Sequence, residues 1–364
     1  MNFEQFTIDN GAIRDLNELL FTSVFNDPDL ERVITPMTKV ENGKKLGYVD
    51  RMGDVGTAGS GCDPTYTNVE ITGFEKTWEL GDWEIPKSVC YKDLEDTIAR
   101  YGMKEGTERA DLQDTPYWDK FLMPLLQSAI TDMFWRLAWF GDKTAKHASE
   151  GGVVTEGIDL KLLKVCDGLW KRLQTIIAAK PNQQIAISAN SEATYAQQKA
   201  AMKVKGYAIS IVDDLLSEAD GRIFDKPDHA IFMTNSLFKA LRNDVKNVNN
   251  IQMPVETIMS GIQLSEYDGH PVLVLDIWDR MIRKYETITS TTGEGDNAVT
   301  TFKLNCPHRA VLASPQNLFV GTSDKDRMAS LTVKFDDRKR DNFIYASSNL
   351  GTLVGEDDLV QVAI

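Results

Sequence analysis

Polar and apolar positions change period several times along the chain. Over 11–25, Ile13, Leu16, Leu20 and Val24 recur at helical spacing behind Asn10 as a cap, which predicts an amphipathic helix. A short turn follows at Asp27-Pro28 and ends at Thr35-Pro36. Nothing close in sequence would bury that stripe. Lys45 to Met52 and Val69 to Leu80 read as strands, with Val69 and Ile71 alternating against Glu70 and Thr72. Between them runs a glycine-rich tip, Gly53 to Gly61. Two strands joined by such a tip cannot bury a core alone, so they project or lie on something else. The strongest helix is predicted over 115–140. Thr115-Pro116 opens it, and Trp118, Leu122, Leu125, Ala129, Met133 and Leu137 make one apolar face. Pro124 should bend it or delay its regular start, and Phe140-Gly141-Asp142 stops it.

From about 155 the pattern is mixed. Helices are predicted over 159–179, 191–203, 210–219 and 235–246, with a buried strand from Ala230 to Thr234. Ile262 to Tyr267 and Pro271 to Leu275 form a hairpin through Asp268-Gly269. Residues 287–298 read as a polar loop. The last third is strand-rich, at 309–313, 317–321, 330–336, 342–348 and 358–363. No internal repeat is present.

Composition narrows the function classes. The chain has 364 residues, more than one ordinary core needs, and 54 acidic against 40 basic residues give a formal charge of −14. A chain this acidic is a poor candidate for coating bare nucleic acid. No apolar run is long enough for a membrane span, and Met1 to Asn10 lacks the basic start of a signal peptide, so a cytosol-like compartment is expected. Cys62, Cys90, Cys166 and Cys306 share no metal-type spacing and are expected to be free thiols. His147, His229, His270 and His308 are isolated from one another.

The chemistry-bearing residues assemble into no catalytic constellation. The glycines of 53–61 lead through Cys62-Asp63-Pro64 into a strand, where a phosphate loop would need Gly-Lys-Ser/Thr and a helix N-terminus. Cys166 lies among Leu162, Leu163, Leu169 and Leu173 and is expected in the core. Cys306-Pro307-His308 offers no oriented base, and His270 is expected to be a satisfied turn residue. The pairs Asp213-Asp214, Asp336-Asp337 and Asp357-Asp358 read as turns and caps. Arg338, Lys339 and Arg340 sit between acids in a charged hairpin tip suited to salt bridges with a neighbouring chain. No catalytic, cofactor or metal residue is expected. What stands out is architecture: elements that cannot bury themselves need other subunits.

That order of elements resembles the major capsid protein of tailed bacteriophages, the Hong Kong 97-like shell fold, along nearly the whole chain. The resemblance implies an α+β fold. Residues 1–37 look like the N-terminal arm and 38–92 like the extended β-hairpin loop. Residues 93–154 look like the peripheral domain, whose spine helix at 115–140 ends in Trp139-Phe140-Gly141-Asp142. Residues 155–326 look like the axial domain. Within it, Phe232 to Leu237 resembles a strand running into a helix, and Tyr267 to Val272 a hairpin. Residues 327–349 resemble the peripheral-domain hairpin, and 350–364 the terminal strand of the axial domain. The implied function is a shell subunit forming hexamers and pentamers of an icosahedral head around double-stranded DNA, assembled in the host bacterial cytoplasm and carried in the virion. Its implied partners are itself, portal, scaffolding and decoration proteins, and packaged genomic DNA by non-specific contact, with no membrane and no cofactor. The assembly contacts are expected at Ile13, Leu16, Leu20, Val24, Trp78, Trp83, Arg338, Lys339 and Arg340. Met1 leads almost directly into the arm, so any scaffold is expected to be a separate protein. Lys44 and Lys45 sit at the base of the loop rather than its tip, so a Lys–Asn crosslink is not carried over. An encapsulin-type compartment shares this order, and a soluble α/β enzyme with a convergent site is the remoter rival.

Overall fold

The computed structural model describes residues 31–52, 71–90, 123–259, 261–292, 299–323, 330–336 and 341–364. The arm stripe Ile13, Leu16, Leu20 and Val24, the glycine-rich tip, the start of the 115–140 helix, and Arg338, Lys339 and Arg340 lie outside the described residues.

The centre is a seven-stranded mixed sheet. Its strands are β5 (Gln184–Ile185), β6 (Ala230–Met233), β7 (Glu256–Met259), β8 (Ile262–Tyr267), β9 (His270–Leu275), β12 (Ala310–Ala313) and β16 (Val360–Ala363), in the order β5-β16-β12-β6-β9-β8-β7. The central strands are apolar at nearly every position, which suits a sheet covered on both faces. The alternation is resolved residue by residue. Phe232, Val311, Leu273 and Val362 point into one core, and Ile231, Leu312, Val272 and Ala363 into the other. Helices α4 (Tyr207–Ser217) and α5 (Asn235–Asn249) cover the second face. Helices α1 (Met123–Phe140), α2 (Leu169–Ala179) and α6 (Asp276–Tyr285) cover the first. The predicted 262–275 hairpin is present, with Asp268 and Gly269 both at positive φ, 49° and 79°, as a tight primed turn requires.

A second sheet shares the first core. In it β1 (Thr35–Met37) pairs with β13 (Leu318–Gly321), and β13 with the fourteen-residue β15 (Asp341–Val354), which also pairs with β14 (Ser330–Asp336) and β4 (Gly81–Cys90). Two hairpins stand apart from both sheets: β2 (Lys45–Met52) with β3 (Ile71–Thr77), and β10 (Thr287–Thr292) with β11 (Val299–Leu304). The chain passes from the central sheet to the second between β12 and β13, at 313–318. Strand β13 joins the β15 sheet, and α2 packs on α1 and β15.

Four expectations change. The helix predicted over 159–179 is two pieces, a single turn at Leu160–Leu162 and α2, because Gly168 is locked against α1's end. Its N–H donates to the Gly141 carbonyl at 2.8 Å, and a Cβ on Gly168 would meet the Trp139 backbone at 2.7 Å. Helix α6 was missed: it starts directly from β9 with no capping side chain to announce it. The first half of the 287–298 loop is strand β10, whose threonines pair across to β11, Thr291 and Thr300 hydroxyls lying 3.1 Å apart. Finally, α1 buries only the C-terminal part of the predicted face, Leu137 with Met133 packed against the core, together with residues outside it. Ile130, Phe134, Leu137 and Ala138 are buried, while Leu125 is 67% exposed and Ala129 is also exposed.

Candidate assembly surfaces

The β2–β3 hairpin is fastened at its base. The Trp78 N–H donates to the Lys44 carbonyl and the Gly43 N–H to the Trp78 carbonyl, both at 2.9 Å, and the Leu80 N–H reaches Asn42 Oδ1. Lys45 pairs with Glu75 at 2.5 Å on the exposed face. Lys76 Nζ contacts both Asp357 oxygens at 2.7 Å, tying the hairpin to the turn before β16. Beyond this base, β2 and β3 hydrogen-bond to no other strand among the described residues.

Trp78 and Trp83 are spent inside the subunit, which corrects their expected role as contacts to a neighbour. Trp78 is 2% exposed and packs with Val40 and Leu353 over Gly321. Trp83, 7% exposed, lies on the inward face of β4 in the main core. Trp83 sits at an inward position of β4 and Trp78 just past the end of β3, and strand alternation says which side is apolar, not whose core fills it. The outward face of the same ribbon carries Glu84 and Tyr345, whose hydroxyl lies 3.3 Å from Glu84 Oε2.

Three other places expose apolar side chains. One is the Leu125–Ala129 stripe of α1. A second is the end of α5 leading into edge strand β7, with Val248, Ile251 and Val255 at 44%, 59% and 39% exposure. The third is Phe302 on β11, stacked beside Tyr195 at 5.5 Å between ring centres.

Trp278 meets Trp139 and Trp170 edge to face, at 4.6 and 4.8 Å between ring centres. Against them sits Arg309, 1% exposed, its guanidinium 5.1 Å from the Trp170 ring. Its charge is met by Glu286, and it also donates to the Cys306 and Asn305 carbonyls at 2.7 and 2.8 Å.

The chain is similar to phage capsid structures. The satellite phage P4 procapsid that includes the size determination protein Sid aligns over 97% of this chain and 98% of that one, at 11% identity and a TM-score of 0.48. A structure of Gordonia phage Cozz aligns over 92% and 84%, at 10% identity and 0.49. The capsid of a native GTA particle aligns over 92% and 88%, at 11% and 0.45. No family profile and no curated protein matches the chain.

The chemistry-bearing residues have structural occupations. Burial pushes the Cys166 thiol up to about 12 and raises that of Cys306, so neither is a ready thiolate. Cys306 Sγ faces Asn305 Oδ1 at 3.6 Å rather than His308. His270 Nδ1 lies 3.0 Å from His229 Nε2 at the hairpin turn. Asp357 and Asp358 hold Lys76 and Lys180. Asp213 accepts from the Tyr267 hydroxyl, and burial together with that carboxylate raises the phenol's pKa. Among the described residues no group of three or more His, Cys, Asp or Glu could hold a metal ion, and no helix is long and apolar enough to cross a membrane.

Proposed function

We propose that this chain is the major shell subunit of a tailed-phage-type head with the Hong Kong 97-like fold. In this reading it assembles into hexamers and pentamers around double-stranded DNA. The observation that carries the reading is the β2–β3 hairpin. It is anchored by Trp78 and Lys76 at its base, yet β2 and β3 pair with neither large sheet. A two-stranded ribbon is marginal in water, so a surface outside its own sheet completes it. The exposed α1 stripe and the apolar approach to edge strand β7 fit the same demand for neighbours. Portal, scaffolding and decoration proteins are the further partners of such a shell. Sedimentation and negative-stain microscopy of the purified chain test the proposal. Megadalton closed particles are expected, and a sole monomeric species at every concentration and salt would overturn it.

A further inference from the structure

The strongest feature the shell reading leaves unused is a cleft of about 660 Å³ between α3 (Tyr195–Ala201), α5 and α6. Each helix turns cations into it: Lys199 and, just past α3, Lys203; Lys239 from α5; Arg280 and Arg283 from α6. All five are exposed at the surface of a chain whose net charge is −14. The carboxylates lining the cleft have other work. Asp279 accepts the Asn235 and Ser236 N–H groups at 2.7 and 3.1 Å, capping α5. Asp244, 4% exposed, accepts from the Ala208 N–H, and Asp276 accepts from Gln263 through Oδ2 while its buried Oδ1 has no partner in the protein. Arg280 pairs with Asp132 across the rim at 3.1 Å. The other four cations make no ion pair among the described residues. His308 also lines the cleft. It is 2% exposed, and neither of its ring nitrogens has a hydrogen-bond partner in the protein. A buried polar ring left in that state is costly without a partner from outside.

We propose that this cleft binds the phosphate backbone of double-stranded DNA. Five cations against three carboxylates leave the lining net positive beside an orphaned imidazole, which makes an anion site, and basic side chains on three helices suit a line of charges better than a single ion. Tyr195 offers no platform for an unstacked base. Lys199 and Arg283 lie 5.0 and 5.6 Å from its ring and Phe302 packs beside it, so the cleft reads backbone rather than bases. The site reconciles a strongly acidic chain with a DNA cargo by confining contact to one patch. It rests on the shell reading in taking DNA as the cargo.

The test measures binding of a fluorescent duplex of about 20 base pairs to the full-length protein between roughly 50 and 200 mM salt. The comparison is with Lys199→Gln/Lys203→Gln/Lys239→Gln, alongside Lys161→Gln/Lys164→Gln as a two-charge control away from the cleft. The triple variant should bind about tenfold more weakly at low salt, and its log–log salt slope should be shallower by about 2–3. The control should stay close to wild type once its smaller charge change is allowed for. If the triple variant fails to fold by circular dichroism, Lys239→Gln alone should still lower the slope by about 1. Equal slopes for wild type and folded variant overturn the inference, as does absence of duplex binding by wild type. Displacement of the duplex by poly-glutamate at equal charge also overturns it, by assigning the cleft to an acidic protein segment. Particle formation is scored separately by microscopy. Normal shells with no cleft-dependent binding refute the cleft alone, whereas binding without shells refutes the shell reading.

Discussion

The seven-stranded sheet and the β2–β3 hairpin solve the same problem in opposite ways. The sheet covers both faces from its own chain: α4 and α5 lie on one side and α1, α2 and α6 on the other, so its central strands are buried at every position. Among the described residues the hairpin's two strands pair only with each other, and the ribbon is held at one end, where Lys76 reaches Asp357. The difference separates what a subunit needs to fold from what it keeps for its neighbours. Damage to the body should appear as lost stability, and damage to the hairpin as lost assembly in a subunit that still folds.

The largest effect on folding is expected at the Arg309–Glu286 pair. Glu286→Gln leaves Arg309 buried with only carbonyls for company, and breaking a buried pair by removing one partner costs about 3–5 kcal/mol. Urea unfolding of the soluble subunit should show a drop of that size. A change under about 1 kcal/mol would mean that the stacking on Trp170 and the carbonyl bonds carry the guanidinium unaided.

Next comes the seam between body and hairpin. A Cβ on Gly321 would lie 2.6 Å from the Trp78 ring and 3.1 Å from Val40. Gly321→Ala should cost about 1–3 kcal/mol through forced repacking. The signature is a shift in tryptophan fluorescence together with the lower midpoint. An unmoved spectrum would show that Trp78 does not pin the hairpin base.

The body also buries two titrating groups whose pH effects oppose each other. Burial raises the Asp279 carboxyl from 3.8 to about 6, against the pull of the Asn235 and Ser236 N–H groups and aided by Asp276. Burial lowers His308 from 6.5 to about 4. Between pH 4 and 6 the folded state holds more protons than the unfolded at Asp279, so that contribution falls as pH rises. At His308 the folded state holds fewer, so that contribution rises with pH over the same window. The contributions of these two groups oppose each other in the wild type. His308→Gln should expose a stability that declines from pH 4 to 6, and Asp279→Asn one that climbs. Thermal midpoints taken across the window decide it, and parallel profiles for all three proteins would refute it.

Much of the body was legible in the sequence because its signals are local. Asp268-Gly269 between two apolar runs specifies a tight hairpin, and Ser330–Asp336 is a strand at the predicted residues. What failed was non-local. Gly168 stops a helix because the Trp139 backbone lies against it, a contact with a residue 29 positions away. Of the apolar stripe read on α1, Leu137 and Met133 pack on the core while Leu125 and Ala129 are exposed, since several apolar faces coexist on that helix and tertiary contacts choose between them. Trp78 and Trp83 were given to a neighbour because a strand pattern cannot say which chain supplies the core. The cleft was out of reach for the same reason: its lysines, arginines and His308 come from three helices and a loop spread over more than 100 residues.

The smallest effect on the folded subunit, and the most decisive for the comparison, is expected from replacing 54–67 with a short Gly-Ser turn. The register of β2 against β3 runs from Lys45↔Thr77 to Met52↔Ile71, so the excised segment lies beyond the last paired residues. The Trp78, Asn42 and Asp357 anchors all lie at the opposite end. Surface-loop changes away from such anchors usually cost within about 0.5 kcal/mol, and closing a shorter loop costs little entropy. Thermal unfolding of the shortened subunit should therefore fall within a few degrees of the parent, while closed particles become rare or vanish in electron micrographs. Outright misfolding would place the tip in the subunit's own core and erase the contrast between hairpin and sheet. Normal particles from the shortened chain would leave the contrast in folding intact but remove the hairpin from the assembly contacts, and with it the main support for a shell.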